Sequence, residues 1–555
     1  MSRVERIVLI GFSGTGKSTI ARLVAEKLGW TAADTDREIE RQWGATIPAI
    51  FRDHGEPAFR ASERAILAQL LQRDNLVIAT GGGAVVDPTA WEDELLGRDQ
   101  TLVIALDASG ETILDRLRQQ AAHDGEAVER PMLASDDPLA RIHALKRERQ
   151  QAYDAAHLTL PVDESSPAAV ADEIRAVARL TSDEPLRIQL NAASGSSDLR
   201  VAPGAVATIG QLARERWPSA GRAWVITDEH VGPLHAKDVG DRLNEVGLRA
   251  DIFAVPPGEG SKSLRVAGQL YDWLLRGGVE RGDVVVALGG GVVGDLAGFV
   301  AATVLRGVGL VQVPTTLLAA VDSSVGGKTG INHAAGKNLI GAFLQPPLVI
   351  ADSFLLRTVP ARELRSGWAE VVKHAVIQRS TPGGERRDLA DVLERNAQRL
   401  RALDELAISY VIWRNMALKA AVVAADERES GMRAYLNFGH TLGHAIEAAD
   451  YQLLHGEAVS LGMLAAAEIG VDRGTCGVDD MARIRDLIRR FELPESAPLE
   501  EVKVLAKLHS DKKRVAGRQR FVLPKTGGGV DLHDDVPEAS VRRALLTVNA
   551  VVPVA

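Results

Sequence analysis

A single cysteine, Cys476, among 555 residues leaves no partner for an intrachain disulfide. That usage fits a reducing compartment. Nor is there an excess of positive charge. The 65 Lys and Arg against 74 Asp and Glu give a formal net charge of −9, which argues against a nucleic-acid binder. Uninterrupted hydrophobic runs are scarce. The apolar stretch from Val284 to Leu305 reaches membrane-spanning length, but Gly289, Gly290, Gly291, Gly294 and Asp295 break it. A strand, a turn and a buried helix are expected there instead. The opening MSRVERIVLIGFSG has too short an apolar run for a signal peptide and enters a glycine loop directly. No internal repeat or low-complexity tract is visible. These absences point to a soluble, cytoplasmic chain. The length exceeds one core, so roughly two to four domains are expected.

What is present begins with RIVLIGFSGTGKSTIARLVAEKLG, which reads as a strand, a glycine loop and an amphipathic helix. Gly11, Gly16, Lys17 and Ser18 satisfy the P-loop pattern, with Gly14 and Thr15 inside it and Thr19 after it. Backbone amides of such a loop close on phosphate oxygens, and the helix N-terminus adds positive potential. Lys17 can reach the outer phosphates of ATP and Ser18 can ligate Mg²⁺. A chance glycine turn rarely brings strand, motif and helix together. In AADTD, Asp34 and Asp36 are expected at the end of a second strand, on one side of it. One carboxylate can then hold Mg²⁺ through water and the other orient an acceptor hydroxyl. FRDHGEPAFRASERAIL supplies Phe51, Phe59, Arg60 and Glu63, and NLVIATGGGAV is a buried strand ending in Gly81, Gly82 and Gly83.

These residues, in this order and spacing, resemble shikimate kinase over about the first 180 positions. The resemblance implies that Asp36, Arg60, Gly82, Gly83 and Arg149 (of RERQQAY) hold shikimate, with the arginines on its carboxylate. Paired guanidinium donors suit a planar carboxylate. ERPML resembles the family's lid, with Arg130 facing the transferred phosphate. Before it runs QQAAHDGEAVE, a longer and more acidic stretch, and Arg116 is taken as the adenine-contacting arginine. Lys17, Asp36 and Arg130 are the expected catalytic groups of this part. For Arg60 alone, an ordinary surface ion pair would be the competing reading.

A Pro- and Ser-containing joint follows the amphipathic helix Pro167 to Leu180 and gives a linker at 181–186. Beyond it, DVVVALGGGVVGDLAGF places Gly289, Gly291 and Gly294 as a dinucleotide fingerprint after a strand. The acidic residue that ordinarily grips the ribose about twenty positions on is missing. Near the C-terminal side, NFGHTLGHAIEAADYQLLHGEAV concentrates three of the chain's thirteen histidines. His440 and His444 share a helix face, and His455 returns after a turn. From spacing alone, packed core histidines and a metal site stand about even.

The blocks VPTTLLAAVDSSVGGKTGINHAAGKNLIGAFLQP, SGWAEVVKHAVI, ERESGMRAYLNFGHTLGHAIEA, LHGEAVSLGM and DKKRVAGRQRFVLP closely resemble 3-dehydroquinate synthase, from about Arg187 onward. The resemblance implies an α/β nucleotide-binding domain (187–357) and then an all-helical metal-binding domain (358–555), crossing near Leu355 to Arg365. With the parallel-sheet P-loop kinase domain (1–180), the fold class expected is α/β. Around NAD the resemblance implies Asp228, Glu259, Lys262, Gly290, Gly291, Asp295, Thr315, Thr316, Lys328, Lys337, Leu355 and Thr358. Glu370, His440 and His455 are implied as ligands of Zn²⁺ or Co²⁺, with His444 beside the substrate rather than on the metal. Arg306, Lys328, Lys337, Asn338, Lys373, Lys419, Arg433, Asn437, His444 and Lys512 are implied around a sugar-acid phosphate, with Asp322 and Glu429 fixing the lysines and the ring. His444, Lys328, Asp322, Arg306 and Glu429 are the implied catalytic set. Three of these lysines, Lys328 of GGK and Lys337 of GKN among them, are expected in glycine-rich turns, which favours function over simple solvation.

The implied chemistry is oxidation of a hydroxyl by NAD⁺, loss of phosphate, re-reduction and carbocycle closure. Homodimerisation through the synthase region is left open; no nucleic-acid or membrane partner is expected. Two rivals remain at this point. One is a polyol or alcohol dehydrogenase, which would need neither the GGK and GKN lysines nor Arg433. The other makes the front part a nucleotide-sensing regulatory module without activity.

Overall fold

The computed structural model describes residues 4–93, 95–124, 136–181, 184–383, 386–449, 452–510 and 519–550. The chain divides into two compact units. One comprises Met1–Glu184 with Glu385–Asn396, the other Pro185–Gly384 with Ala397–Ala555.

In the first unit five parallel strands, β1 (Arg6–Ile10), β2 (Thr31–Asp34), β3 (Leu76–Ala79), β4 (Thr101–Asp107) and β5 (Leu158–Pro161), pair in the order β2-β3-β1-β4-β5. RIVLI and LVIA are buried along their whole length, as central parallel strands must be when both faces are covered. Chain order reverses at β1, which lies between β3 and β4, and ligands of such sheets bind at the carboxyl ends beside that reversal. Gly11 leaves β1 there with φ 134. A Cβ on it would lie 2.2 Å from the Leu106 carbonyl oxygen, so the loop passes β4 only as glycine. The edge at β5 is closed by Asn396, whose side-chain amide pairs with the N–H and C=O of Thr159, each at 2.9 Å.

One expectation is corrected here. Asp34 ends β2, but Asp36 lies in the helix Thr35–Trp43 and not on the strand. The Asp34 carboxylate accepts from the backbone N–H groups of Asp36 and Arg37, which caps the helix and ends the strand two residues early.

The second unit holds a seven-stranded sheet from β6 (Leu186–Ala192), β7 (Gly195–Ala202), β8 (Arg222–Asp228), β9 (Arg249–Val255), β10 (Val284–Gly289), β11 (Gly309–Pro314) and β14 (Leu348–Asp352). Its order is β6-β7-β14-β11-β10-β8-β9, parallel except for the β6–β7 hairpin. The stretch of membrane-spanning length is β10 followed by the buried helix Gly291–Thr303. Between β11 and β14 a separate antiparallel hairpin, β12 (Lys328–His333) and β13 (Gly336–Phe343), carries Lys328 and Lys337 on strands rather than in turns.

From Ala361 onward helices dominate. Among the described residues this half is not all helical, because it holds the hairpin β15 (Phe521–Pro524) with β16 (Val530–His533). Helix Glu405–Ala425 is long and apolar enough to cross a membrane, but 83% of its apolar window is buried inside the protein, as for a core helix. Helices His440–Ala449 and His455–Arg473 pack with almost no side chain between them. A Cβ on Gly462 would lie 2.0 Å from the Gly439 carbonyl oxygen, and one on Gly443 would lie 3.0 Å from the Val459 Cα. That contact brings the three histidines together.

Candidate active sites

At the carboxyl ends of the first unit's sheet, the P-loop wraps its own lysine. Lys17 Nζ donates to the carbonyl oxygens of Gly11 at 2.8 Å and Phe12 at 2.9 Å, and Thr15 Oγ1 donates to Phe12 O at 2.8 Å. Gly14 and Gly16 take φ 86 and 87, and Thr19 is exposed. Ser18 Oγ donates to Asp34 Oδ2 at 2.5 Å, a hydroxyl and a carboxylate of the kind that shares a hydrated Mg²⁺.

Beside the loop, Asp36, Arg60, Gly82, Gly83 and Arg149 converge. A Cβ on Gly81 would meet Glu63 Oε1 at 2.4 Å and Asp36 Oδ1 at 2.8 Å, and one on Gly83 would meet Arg60 Nη2 at 2.6 Å. Arg60 is held by Glu63 Oε2 at 2.6 Å and Glu56 Oε1 at 3.1 Å. Burial pushes the Glu63 carboxyl up despite Arg60. Arg149 Nη1 and the Tyr153 hydroxyl both donate to Gly82 O, at 3.0 and 2.7 Å. Tyr153 went unnoticed in the sequence. It is buried, and its hydroxyl is pushed up to about 12 by that burial. Arg116 donates to Val162 O at 2.6 Å. Arg130 lies outside the described residues.

In the second unit several of the residues expected around a nucleotide follow strand carboxyl ends. Asp228 closes β8 and caps the next turn through the N–H groups of His230 and Val231. Gly290 and Gly291 follow β10, and Thr315 and Thr316 follow β11, with a Cβ on Gly290 only 3.2 Å from Thr316 Cγ2. Lys262 Nζ donates to Asp295 Oδ2 at 2.7 Å and Asn338 Oδ1 at 2.5 Å, and lies 3.8 Å from Glu259. Thr358 Oγ1 lies 2.9 Å from His235 Nε2, and Leu355 is buried.

The centre of the helical half is Glu370, fully buried on helix Ala361–Ile377. Its Oε1 faces His440 Nε2 at 3.3 Å and His455 Nε2 at 3.4 Å. That oxygen receives no well-formed hydrogen bond from the described residues. Two imidazole nitrogens and a carboxylate oxygen aimed at one another call for a positive centre. His440 Nδ1 lies 3.0 Å from Phe438 O and His455 Nδ1 3.1 Å from Glu447 Oε2. With the proton on Nδ1 each ring would have an acceptor there, which would leave Nε2 with the lone pair a metal needs. The donor set fits a catalytic zinc site of two His, one carboxylate and an open position.

His444 stands close by, with ring centroids 5.1 Å from His440 and 5.7 Å from His455. The nitrogens of these three histidines could also gather on one ion, as could Asp322, Glu370 and His374. The second grouping is opposed by charge, because Lys373 ion-pairs with Glu370 and lies 3.6 Å from Asp322, while Lys419 ion-pairs with Asp322. Burial pushes His374 down to about 3, and its Nδ1 lies 3.0 Å from Asn415 Oδ1. Burial would raise the Glu370 carboxyl, but Lys373 and His440 hold it well below the usual range. Burial likewise opposes charge on His455, yet Glu370 and Glu447 together push it up to about 9.

Around this centre, Lys328 pairs with Glu429, and Asn437 Nδ2 donates to Glu429 Oε1 at 2.6 Å. Arg433 donates to Gly326 O at 3.0 Å and to Glu427 O. Burial pulls Lys419 down to about 8 against the attraction of Asp322. Arg306 is exposed on a left-handed turn, φ 68, and joins none of these hydrogen bonds. Lys512 lies outside the described residues. Sequence reasoning missed Glu447 and Gly456. The only signals were Glu447's position seven residues after His440 and the glycine directly after His455.

Residues 13–179 match the shikimate kinase family, residues 252–366 the 3-dehydroquinate synthase N-terminal family and residues 367–514 the 3-dehydroquinate synthase C-terminal family. The 3-dehydroquinate synthase of Desulforamulus reducens is 43% identical over 362 residues, covering 64% of this chain and 99% of its own. That of Pelobacter propionicus is 46% identical over 340 residues, covering 60% and 92%. A solved 2-epi-5-epi-valiolone synthase from Streptomyces hygroscopicus subsp. jinggangensis, with NAD⁺ and Zn²⁺ bound, is 27% identical. The match covers 64% of this chain and 98% of that one, with a TM-score of 0.58.

Proposed function

This chain belongs to the 3-dehydroquinate synthase family and carries a shikimate kinase domain ahead of it, and on that premise we propose one bifunctional enzyme of aromatic biosynthesis. Its front part phosphorylates shikimate from ATP. Its back part converts a seven-carbon sugar-acid phosphate, 3-deoxy-D-arabino-heptulosonate 7-phosphate, to 3-dehydroquinate and phosphate. The observation that carries the second half is the convergence of His440 and His455 Nε2 on Glu370 Oε1. Retention of Asp36, Arg60 and Arg149 around the Gly81–Gly83 turn carries the first, and disfavours a merely regulatory front module.

In the kinase part, Lys17 would turn from its loop carbonyls to the transferred phosphate, while Ser18 and Asp34 hold Mg²⁺. Arg60 and Arg149 grip the shikimate carboxylate, and Asp36 takes the hydrogen bond of the acceptor hydroxyl. Arg130 is assigned to the lid. In the synthase part, Glu370, His440 and His455 would hold Zn²⁺ or Co²⁺, and NAD would sit on the residues at the ends of β8, β10 and β11. When bound, the metal polarises an alcohol oxygen and the nicotinamide carries a hydride out of and back into the substrate. Asp322 fixes Lys373 and Lys419, and Glu429 fixes Lys328 and Asn437, so that cations meet the substrate's carboxylate and phosphate in set positions. His444, beside the rings of His440 and His455, would move a proton or hold the leaving phosphate.

The proposed division is a kinase domain at 1–180, a linker at 181–186, a nucleotide-binding half at 187–357 and a metal-binding half at 358–555, from which the segment Glu385–Asn396 departs to join the first unit. A cytoplasmic location and a homodimer through the synthase region complete the reading. The lone Cys476 is buried and its thiol pushed up to about 11, which suits a structural rather than redox role. Chelation tests the whole: the synthase should stop, while the kinase resumes once Mg²⁺ is restored. Full-rate cyclisation by metal-free protein would refute the His–His–Glu assignment.

A further inference from the structure

Glu447 belongs to neither ligand set, yet it touches both sides of the synthase site. It sits on helix His440–Ala449, seven residues after His440 and therefore on the same face. Its Oε2 lies 3.1 Å from His455 Nδ1, and its Oε1 accepts from Lys337 Nζ at 2.7 Å. Lys337 is on β13 of the separate hairpin. Stability does not explain the pair with Lys337, because that lysine is 54% exposed and such pairs contribute little. The contact with His455 is different in kind. Glu447 is only 18% exposed, and it meets the one ring nitrogen that does not face Glu370.

We infer that Glu447 is a positioning residue, which fixes the ring of His455 so that Nε2 aims at the metal and uses its other oxygen to hold the hairpin lysine above it. The inference rests on the metal reading proposed above. The backbone of His455 is already placed, since the Gly456 N–H donates to Ser366 Oγ at 3.0 Å. What the backbone leaves free is rotation of the imidazole about its own axis. An Nδ1–H bonded to a carboxylate removes that freedom, selects the tautomer with its lone pair on Nε2, and makes that nitrogen a stronger donor. His440 achieves the same with a backbone carbonyl, which costs no side chain. His455, the first residue of its helix, draws on a carboxylate from the neighbouring helix instead.

The test is zinc affinity of the full-length protein, measured by competition with a chromophoric chelator, with thermal melting to confirm folding. Glu447→Ala should bind zinc about 10–100-fold more weakly than wild type. Glu447→Gln keeps an acceptor for Nδ1–H but loses the charge, so a smaller loss of about 3–10-fold is expected. Lys337→Met leaves the carboxylate in place and should change zinc affinity by less than about threefold, while weakening NAD⁺ binding. His455→Ala should not retain zinc. If His455→Ala loses zinc while Glu447→Ala and Glu447→Gln both bind it as wild type does, the positioning role is overturned and the ligand set stands. If His455→Ala retains zinc at full affinity, the ligand set itself fails and this inference falls with it. Should Glu447→Ala not fold, the comparison of Glu447→Gln with Lys337→Met decides alone, equal affinity overturning the inference.

Discussion

A Cβ on Gly456 would lie 1.8 Å from the Ser366 carbonyl oxygen, so the helix that starts at His455 meets the helix that carries Glu370 backbone to backbone. Ser366 and Glu370 are four residues apart and share one helix face. The absence of one side chain thus sets how closely His455 can approach Glu370. Gly456→Ala must push the two helices apart, and overpacking of this kind costs on the order of 1–3 kcal/mol. We expect a lower melting temperature, less than one zinc per chain and a synthase too slow to follow, with shikimate phosphorylation unaffected. A variant with wild-type melting and stoichiometric zinc would show that the close approach is not needed.

His444 separates ligand from catalyst. It shares a helix face with His440 and stands 5.1 Å from it, ring to ring, but it is not one of the two imidazoles facing Glu370. His444→Ala should therefore keep stoichiometric zinc and bind NAD⁺, yet turn over about 10²–10⁴-fold more slowly, the usual cost of a lost acid–base group. Elemental analysis beside phosphate release in His440→Ala, His444→Ala and His455→Ala checks this. Zinc-free His444→Ala together with zinc-replete His455→Ala would reverse the two roles.

Lys419 predicts the alkaline behaviour. Burial lowers its ammonium to about 8 although Asp322 opposes the shift. The cationic form is needed to meet an anionic substrate, so it is present below that value and lost above it. The synthase kcat/KM, which reports the free enzyme, should fall as pH rises through about 8. Lys419→Arg stays charged throughout, so its profile, though lower, should run flat from about pH 7 to 9. An unmoved alkaline limb in that variant would assign the titration elsewhere.

Much of this was legible in the chain. Gly11, Gly16, Lys17 and Ser18 name their loop because phosphate binding demands backbone amides in a fixed curve, and spacing alone encodes that curve. The broken apolar run at Gly289–Asp295 reads correctly as strand and helix for the same local reason. Strand alternation would carry Asp36 onto β2 only if the strand ran on past Asp34. A short side chain at Asp34 captured the next amides instead, a competition between side chain and backbone that periodicity does not register. The metal centre shows the larger limit. Helix spacing pairs His440 with His444, whereas the geometry turns His440 and His455 on Glu370, far earlier in the chain. Which nitrogen each ring presents depends on Phe438 O and Glu447, contacts that no spacing rule contains. Gly456 carries no signal of its packing in the sequence, because a glycine's role in close approach appears only once its neighbour is known.

The central claim is that two independent active sites share one chain. It is tested by following ADP formation from ATP and shikimate, and phosphate release from the sugar-acid phosphate with NAD⁺ and zinc, in one preparation each of wild type, Lys17→Ala and Glu370→Ala. Lys17→Ala should abolish the first and leave the second nearly unchanged, because the transferred phosphate alone loses its cation. Glu370→Ala should do the converse. A folded Lys17→Ala protein that has lost both activities would contradict the account and make the front unit a regulator of the back one.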